Sequence, residues 1–248
     1  MIEQLLPYGV AVSEVFGDVP QAHLYPEEAR VVERAVEARR REFATGRWCA
    51  RQALWRVGLP AAPILPGFDG APEWPTSVLG SITHCAGYRA AVIARAGDAH
   101  MLGIDAEPNA PLPEGVLELI ALPEEQRLLS RLRLLAPEVH WDRLLFSIKE
   151  TVYKSWFLST RQRLDFDEAI ISLEAGSTAF TARILPREWS SPEAEADRLQ
   201  GRWLAKDGLL LSAIAVLGAP KVRTAATGHP RQDQPAGNGP LSRKAYVL

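Results

Sequence analysis

Helical periodicity followed by short β-type runs occurs twice along this chain, and that order limits the fold more than any single motif does. In the first round Pro26-Glu27-Glu28 opens a helical segment that runs to about Phe43, with Ala29, Val32 and Val36 at helical spacing and acids in its first turn. Thr45 reads as the N-cap of a second, more buried helix through Trp48, Ala50, Ala53, Leu54 and Val57, stopped by Gly58 and Pro60. Residues 60–80 hold too much Pro and Gly for regular structure, and the runs 79–84, 89–94 and 101–107 follow as strands. In the second round, helical patterns over 114–135 and 137–158 precede strand pairs at 169–173 with 180–185 and at 201–205 with 209–216. The last pair turns on Lys206-Asp207-Gly208, a strong hairpin signal. The expected fold is α/β (α+β): two helix-plus-sheet halves, 1–108 and 109–218, without obvious sequence repetition between them. Residues 219–248 lose all periodicity and are rich in Pro, Gly, Gln, Asn and Thr, the composition of a mobile tail.

Composition removes several classes of function. Of 248 residues 47% are apolar and 23% charged, as in an ordinary folded protein. Lys and Arg total 28 against 30 for Asp and Glu, a net charge of -2, so no global basic field holds nucleic acid or an anionic membrane. An anion site has to be local. The cysteines, Cys49 and Cys85, are too few for a disulfide framework or a cysteine-ligated zinc site. No apolar run reaches the ~18 residues of a membrane span, and the first residues lack the basic and apolar pattern of a leader, so the expected location is cytoplasmic.

Three constellations could carry chemistry. In Gly103-Ile104-Asp105-Ala106-Glu107-Pro108, strand alternation projects Asp105 and Glu107 to one face and Ile104 and Ala106 to the other. Two neighbouring carboxylates repel, and a hard divalent cation, Mg²⁺ or Mn²⁺ rather than zinc, offsets that most simply; a solvated strand end carries the same triplet. In Arg143 to Trp156, Leu145, Ile148, Val152 and Trp156 share one helix face while Arg143, Ser147, Glu150 and Lys154 form a stripe on the other, with Glu150 and Lys154 one turn apart. An exposed ion pair accounts equally for that spacing. In Ser81-Ile82-Thr83-His84-Cys85, neighbours on an extended chain point apart, so His84 does not activate Cys85, which excludes a thiol nucleophile. His84 together with Arg39 and Arg47 could instead contact a phosphate. No dinucleotide, P-loop or nucleophile-elbow motif is present.

In chain order, Arg39-Arg40-Arg41-Glu42-Phe43, Arg47-Trp48-Cys49-Ala50-Arg51-Gln52-Ala53-Leu54, Ser81-Ile82-Thr83-His84-Cys85, Gly103-Ile104-Asp105-Ala106-Glu107 and Phe146-Ser147-Ile148-Lys149-Glu150 with Lys154 resemble the motifs of a known family. It is the 4′-phosphopantetheinyl transferases, in the single-chain, pseudodimeric form that activates siderophore, polyketide and nonribosomal peptide synthases, the surfactin and enterobactin synthetase-activating type. The resemblance spans roughly residues 25–218 and implies two similar halves with coenzyme A in the cleft between them. It implies that Asp105, Glu107 and Glu150 hold Mg²⁺, with Mn²⁺ as an alternative, that Arg39, Arg47 and His84 contact the terminal phosphates, chiefly the 3′-phosphate, and that Lys154 sits on the pyrophosphate. A serine of an acyl or peptidyl carrier protein, or of a carrier domain of a polyketide, fatty-acid or nonribosomal peptide synthase, would attack the β-phosphate. Adenosine 3′,5′-bisphosphate would leave. Glu150 is the candidate base, with a water or hydroxide as the alternative.

Close relatives place lysines in the loop after Pro63-Ile64-Leu65, where this chain has Pro66 and Asp69, which implies a lost phosphate contact or compensation by another base such as Arg51. Arg127, Leu128, Leu129, Arg131 and Arg133 offer either a docking face for an acidic carrier or a plain amphipathic helix. A pseudodimer has internalised its own interface, so a monomer is expected. The rival readings are a Mg²⁺-dependent phosphohydrolase or nuclease using the same carboxylates, and a noncatalytic coenzyme A or carrier-binding protein.

Overall fold

A computed structural model describes residues 1–67, 70–185 and 198–218. Asp69 and the proposed tail 219–248 lie outside them. The helices are α1 (Pro26–Val31), α2 (Glu37–Arg56), α3 (Val116–Ile120), α4 (Pro123–Leu135) and α5 (Trp141–Thr160). The strands are β1 (Ala11–Phe16), β2 (Val78–Cys85), β3 (Tyr88–Arg95), β4 (Ala99–Pro108), β5 (Ala169–Leu173), β6 (Ala179–Ile184), β7 (Arg198–Lys206) and β8 (Leu209–Leu217). They form two antiparallel sheets in the orders β1-β3-β2 and β4-β8-β7-β6-β5. The strand β4 closes the first half as bounded on the sequence, yet it pairs along its length with β8 of the second.

Alternation along the strands builds the layers. On β3, Ala91 and Ile93 face α2 and pack on Cys49, Ala50, Ala53 and Leu54. Tyr88, Ala90, Val92 and Ala94 face the other way and meet Leu102, Ile104 and Ala106 of β4 and Leu211 and Ala213 of β8. The opposite face of the five-stranded sheet takes α5 through Leu144, Leu145, Ile148, Val152 and Trp156. The order of layers is therefore helix, sheet, sheet, helix, with an apolar core at each junction.

The helix boundaries correct the sequence reading in three places. The first helix stops at Val31, and Arg40 closes the break by donating to the carbonyls of Glu33 and Ala35. Thr45 is no cap: it is buried inside the continuous α2, where its hydroxyl accepts the Val19 N–H at 3.1 Å. The segment 114–135 breaks at Ala121 and Leu122, which are extended because the residue before a proline disfavours the helical region.

A repeat missed on the sequence joins the halves. Tyr25-Pro26-Glu27-Glu28 and Leu122-Pro123-Glu124-Glu125 each start a helix with proline at its first position. In both, the second glutamate accepts the capping residue's N–H, from Tyr25 at 3.0 Å and from Leu122 at 2.8 Å. Both glutamates are buried and pair with a base of the long helix: Glu28 with Arg51 at 3.0 Å, Glu125 with Lys149 at 2.7 Å. Both also accept a distant backbone N–H, from Ile64 and Ile171.

Candidate active site

The free edge of β4 lies against β2. The N–H groups of Ile104 and Ala106 point away from β8 and would be orphaned in a dry seam. Hydroxyls on β2 take them instead: Ser81 Oγ accepts Ile104 N–H at 3.1 Å and Thr83 Oγ1 accepts Ala106 N–H at 3.0 Å. The next residue along β2, His84, points to the opposite face, toward α2. Two chemically different corners thus meet at one strand end.

The first corner is acidic. Asp105 is buried; its Oδ1 accepts Lys154 Nζ at 2.6 Å and the Thr83 hydroxyl at 3.3 Å. Lys154 also donates to the Ile104 carbonyl at 3.2 Å. Burial alone would lower the Lys154 pKa, but Asp105, Glu150 and Glu107 outweigh it and hold it raised. Close packing makes this reach possible, since a Cβ on Gly103 would stand 2.6 Å from the Thr151 carbonyl, and only glycine lets α5 approach β4 there. Glu107 accepts Arg143 Nη1 at 3.1 Å. Its carboxyl is pushed up to about 7, by burial first and then by Asp105, against the opposing pull of Arg143. Glu150 is half-buried one turn before Lys154 on α5. The expected polar stripe is only partly solvent-facing, because Ser147 is fully buried and bonds to Ser212 at 2.9 Å.

The second corner is basic. Arg39 Nη1 lies 2.9 Å from His84 Nε2 and donates to Glu42 at 2.7 Å, and His84 Nδ1 is 3.1 Å from the same carboxylate. The structure therefore brings Arg39 and His84 together. Arg47 is buried on the next turns of α2, with its guanidinium 4.0 Å over the Phe43 ring and Nε donating to the Ile64 carbonyl at 2.7 Å. Its terminal nitrogens make no hydrogen bond among the described residues, and burial lowers its pKa to about 10. Arg51, expected as a compensating base, is buried and held by Glu28 and by the His23 carbonyl, so its guanidinium is committed to the fold. Pro66 itself bridges to Pro72 in the loop.

Sequence reasoning missed Glu42, Arg89 and Thr83 as partners of the named residues, and it placed Arg143 on the polar stripe without its bond to Glu107. Thr83 and Glu42 lay inside quoted motifs, but their partners are far away in sequence. The excluded thiol stays excluded, since burial, followed by the charges of Glu107 and Asp105, pushes Cys85 up to about 12. The docking face divides: Leu129 belongs to the core, Leu128 packs partly against it, and Arg133 lies 3.7 Å from Asp142.

A divalent cation suits the acidic corner. Asp105 Oδ2 is buried with no hydrogen-bond partner among the described residues, and the raised Glu107 carboxyl reports crowded negative charge. Both features are relieved by a cation, and the donors are all oxygens, the preference of Mg²⁺ and Mn²⁺. Among the described residues, however, no three His, Cys, Asp or Glu side chains are gathered into a metal-holding group. Lys154 and Arg143 instead occupy one oxygen each of Asp105 and Glu107. No helix among these residues is long and apolar enough to cross a membrane.

Comparison with known proteins identifies the family. Residues 27–94 match the family model of the 4′-phosphopantetheinyl transferase N-terminal domain, and residues 101–205 match that of the 4′-phosphopantetheinyl transferase superfamily. The chain is 51% identical over 219 residues to the 4′-phosphopantetheinyl transferase Svp of Streptomyces mobaraensis, covering 87% of this chain and 89% of that one. It is 43% identical over 226 residues to the transferase PptT of Mycobacterium tuberculosis, covering 87% and 98%. A more distant relative, enterobactin synthase component D of Salmonella typhi, is 36% identical over 152 residues, 60% of each chain.

Proposed function

The chain belongs to the 4′-phosphopantetheinyl transferase superfamily, and from that membership we propose that the seam between β2 and β4 is where it handles coenzyme A. The enzyme transfers the 4′-phosphopantetheine group of coenzyme A to carrier proteins. What carries the placement of the reaction is the meeting, at one strand end, of Lys154 and the Asp105–Glu107 pair with the Arg39–His84 corner.

The serine hydroxyl of the carrier attacks the β-phosphorus. A bond forms from serine oxygen to phosphorus, the bridging bond to the 5′-phosphate breaks, and adenosine 3′,5′-bisphosphate leaves. Arg39 and His84 hold the terminal 3′-phosphate from the basic corner, joined by the terminal nitrogens of Arg47, which make no hydrogen bond among the described residues. Lys154 leaves Asp105 for the pyrophosphate and offsets charge as it develops on the leaving oxygen. Glu150, one helical turn away, accepts the serine proton. Asp105, Glu107 and Glu150 would hold Mg²⁺ or Mn²⁺, which when bound supplies charge neutralisation on the phosphoryl oxygens. Lys154 and Arg143 take only one oxygen each of Asp105 and Glu107, and Asp105 Oδ2, without a hydrogen-bond partner among the described residues, would be available to the cation.

The halves 1–108 and 109–218 share the site, β4 ending the first and α5 belonging to the second. The protein acts as a monomer, since the two sheets already bury their facing apolar sides against each other. Its carriers are acyl or peptidyl carrier proteins or carrier domains of fatty-acid, polyketide and nonribosomal peptide synthases, and it works in the cytoplasm.

The test is the intact mass of an apo carrier protein after incubation with the enzyme, coenzyme A and Mg²⁺, beside a chelator control and Glu150→Ala. The expected result is a metal-dependent gain of one phosphopantetheine that the variant loses. Binding of coenzyme A with no mass gain on several carriers would favour a noncatalytic binder, and nucleotide release without a carrier would favour a phosphohydrolase.

A further inference from the structure

Glu42 occupies the middle of the basic corner. It lies one turn beyond Arg39 on α2, and one carboxylate serves both neighbours: Oε2 accepts from Arg39 Nη1 at 2.7 Å, and Oε1 lies 3.1 Å from His84 Nδ1. The same arginine nitrogen is 2.9 Å from His84 Nε2. A guanidinium only donates, so Nε2 is the acceptor and the ring proton sits on Nδ1, donated to Glu42. The partners alone fix the tautomer.

Arg89 backs this arrangement. It stands opposite His84 in the β2–β3 register, with Nη1 donating to the Cys85 carbonyl at 2.8 Å and Nη2 lying 2.9 Å from Asp18 and 3.9 Å from Glu42. Asp18 also takes Arg41 at 3.2 Å. The bond from His84 holds the Glu42 carboxyl down at about 2, against its partial burial. This carboxylate is therefore charged whenever the enzyme works.

A phosphate entering the corner needs two things. Arg39 is exposed and long, and has to give up rotamer freedom unless something has already collected it. His84 has to donate from Nε2, which in this tautomer requires a second ring proton. An anion on Nδ1–H stabilises the imidazolium that results. Glu42 meets both needs.

Resting on the reading that Arg39 and His84 hold the terminal phosphate, we propose that Glu42 is a positioning residue for its recognition. It collects Arg39 and His84 before coenzyme A binds and supports the doubly protonated ring afterwards. The preference for coenzyme A over 3′-dephospho-coenzyme A thus depends on a side chain that touches neither substrate.

Steady-state kinetics on both substrates, with a saturating apo carrier protein, tests this in the wild type, Glu42→Gln, Glu42→Asp, Arg39→Ala and His84→Ala. Glu42→Gln is expected to raise KM for coenzyme A about tenfold, the size of a lost charge-assisted bond, with kcat within about twofold. Its kcat/KM on the dephospho substrate should stay within about twofold. Glu42→Asp keeps the charge on a shorter arm and should recover part of the preference. Equal losses on both substrates would make Glu42 merely structural and overturn the proposal, as would an unchanged preference; thermal unfolding of each variant confirms that folded protein is compared. If Arg39→Ala and His84→Ala leave the preference intact, the terminal-phosphate reading fails and takes this proposal with it. If those two narrow it and Glu42→Gln does not, the proposal alone fails.

Discussion

In the first half Glu28 caps α1, pairs with Arg51 of the long helix and accepts the Ile64 N–H; in the second, Glu125 caps α4, pairs with Lys149 and accepts the Ile171 N–H. Where β2 meets β4, this likeness ends. The basic corner, built within the first half, presents donors around a carboxylate, Arg39, His84 and Arg89 on Glu42; the acidic corner, where β4 of the first half meets α5 of the second, presents carboxylates around cations, Asp105 and Glu107 on Lys154 and Arg143. The glutamates show the difference in their titration, Glu42 held down to about 2 by its donors and Glu107 pushed up to about 7 by burial and Asp105. What repeats is scaffold, buried and paired within each half; what diverges is the charge of the two corners, each left partly open to solvent.

The largest effect is expected from breaking the shared scaffold. Glu125→Gln leaves the Lys149 ammonium buried with only carbonyl partners, and Glu28→Gln does the same to Arg51, so each should cost about 3–5 kcal/mol in urea unfolding. A loss under about 1 kcal/mol for either would show that the lock is ornamental in that half. Next comes Asp105→Asn, which keeps the shape of the acidic corner and removes its charge. Transfer to the carrier should fall about a hundredfold with circular dichroism unchanged. Activity within about threefold of wild type would take Asp105 out of the site.

Thr83 joins the two regions, since it and His84 are neighbours on β2 aimed at different corners. Thr83→Val leaves the Ala106 N–H without an acceptor and removes a donor from Asp105, which predicts a loss of about 1–3 kcal/mol by urea unfolding. Thr83→Ser keeps the hydroxyl and should recover most of it. A valine variant as stable as the serine one would mean that the seam is closed by packing and not by the hydroxyl.

Much of this was legible in the sequence because it is local. Alternation placed Asp105 and Glu107 on one face, helical spacing placed Glu150 one turn from Lys154, and Asp207-Gly208 marked its hairpin. The strand β1 was not read, because Ser13 and Glu14 split its apolar residues and no alternation marks its pattern. Thr45 was misread since a threonine beside an apolar run signals a cap, whereas here tertiary structure spends its hydroxyl on Val19. Arg51 looked like a free base for the same reason: charge is visible in a sequence, but Glu28, more than twenty residues away, is what makes it structural, as Glu125 does for Lys149. Asp105's dependence on Thr83 and His84's on Glu42 are likewise set by which strands and helices meet, a property no single stretch of chain contains.

The smallest effect separates the two corners by pH. The folded Glu42 carboxyl lies near 2 against an ordinary value of 4.5, because His84 and Arg39 donate to it. A depressed acid gives stability that is fully present above the ordinary value and is lost as pH falls through the folded one, since protons then bind the unfolded chain first. Solvent screening at this half-open corner holds the contribution to about 1 kcal/mol. Urea midpoints of the wild type and Glu42→Gln, compared at about pH 7 and about pH 3, should therefore converge as the solution is acidified, and added salt should shrink the gap at the higher pH. A gap that stays constant across that range would mean that Glu42 contributes shape and not charge, and the contrast between an anion anchored among cations and cations anchored among anions would rest on the acidic corner alone.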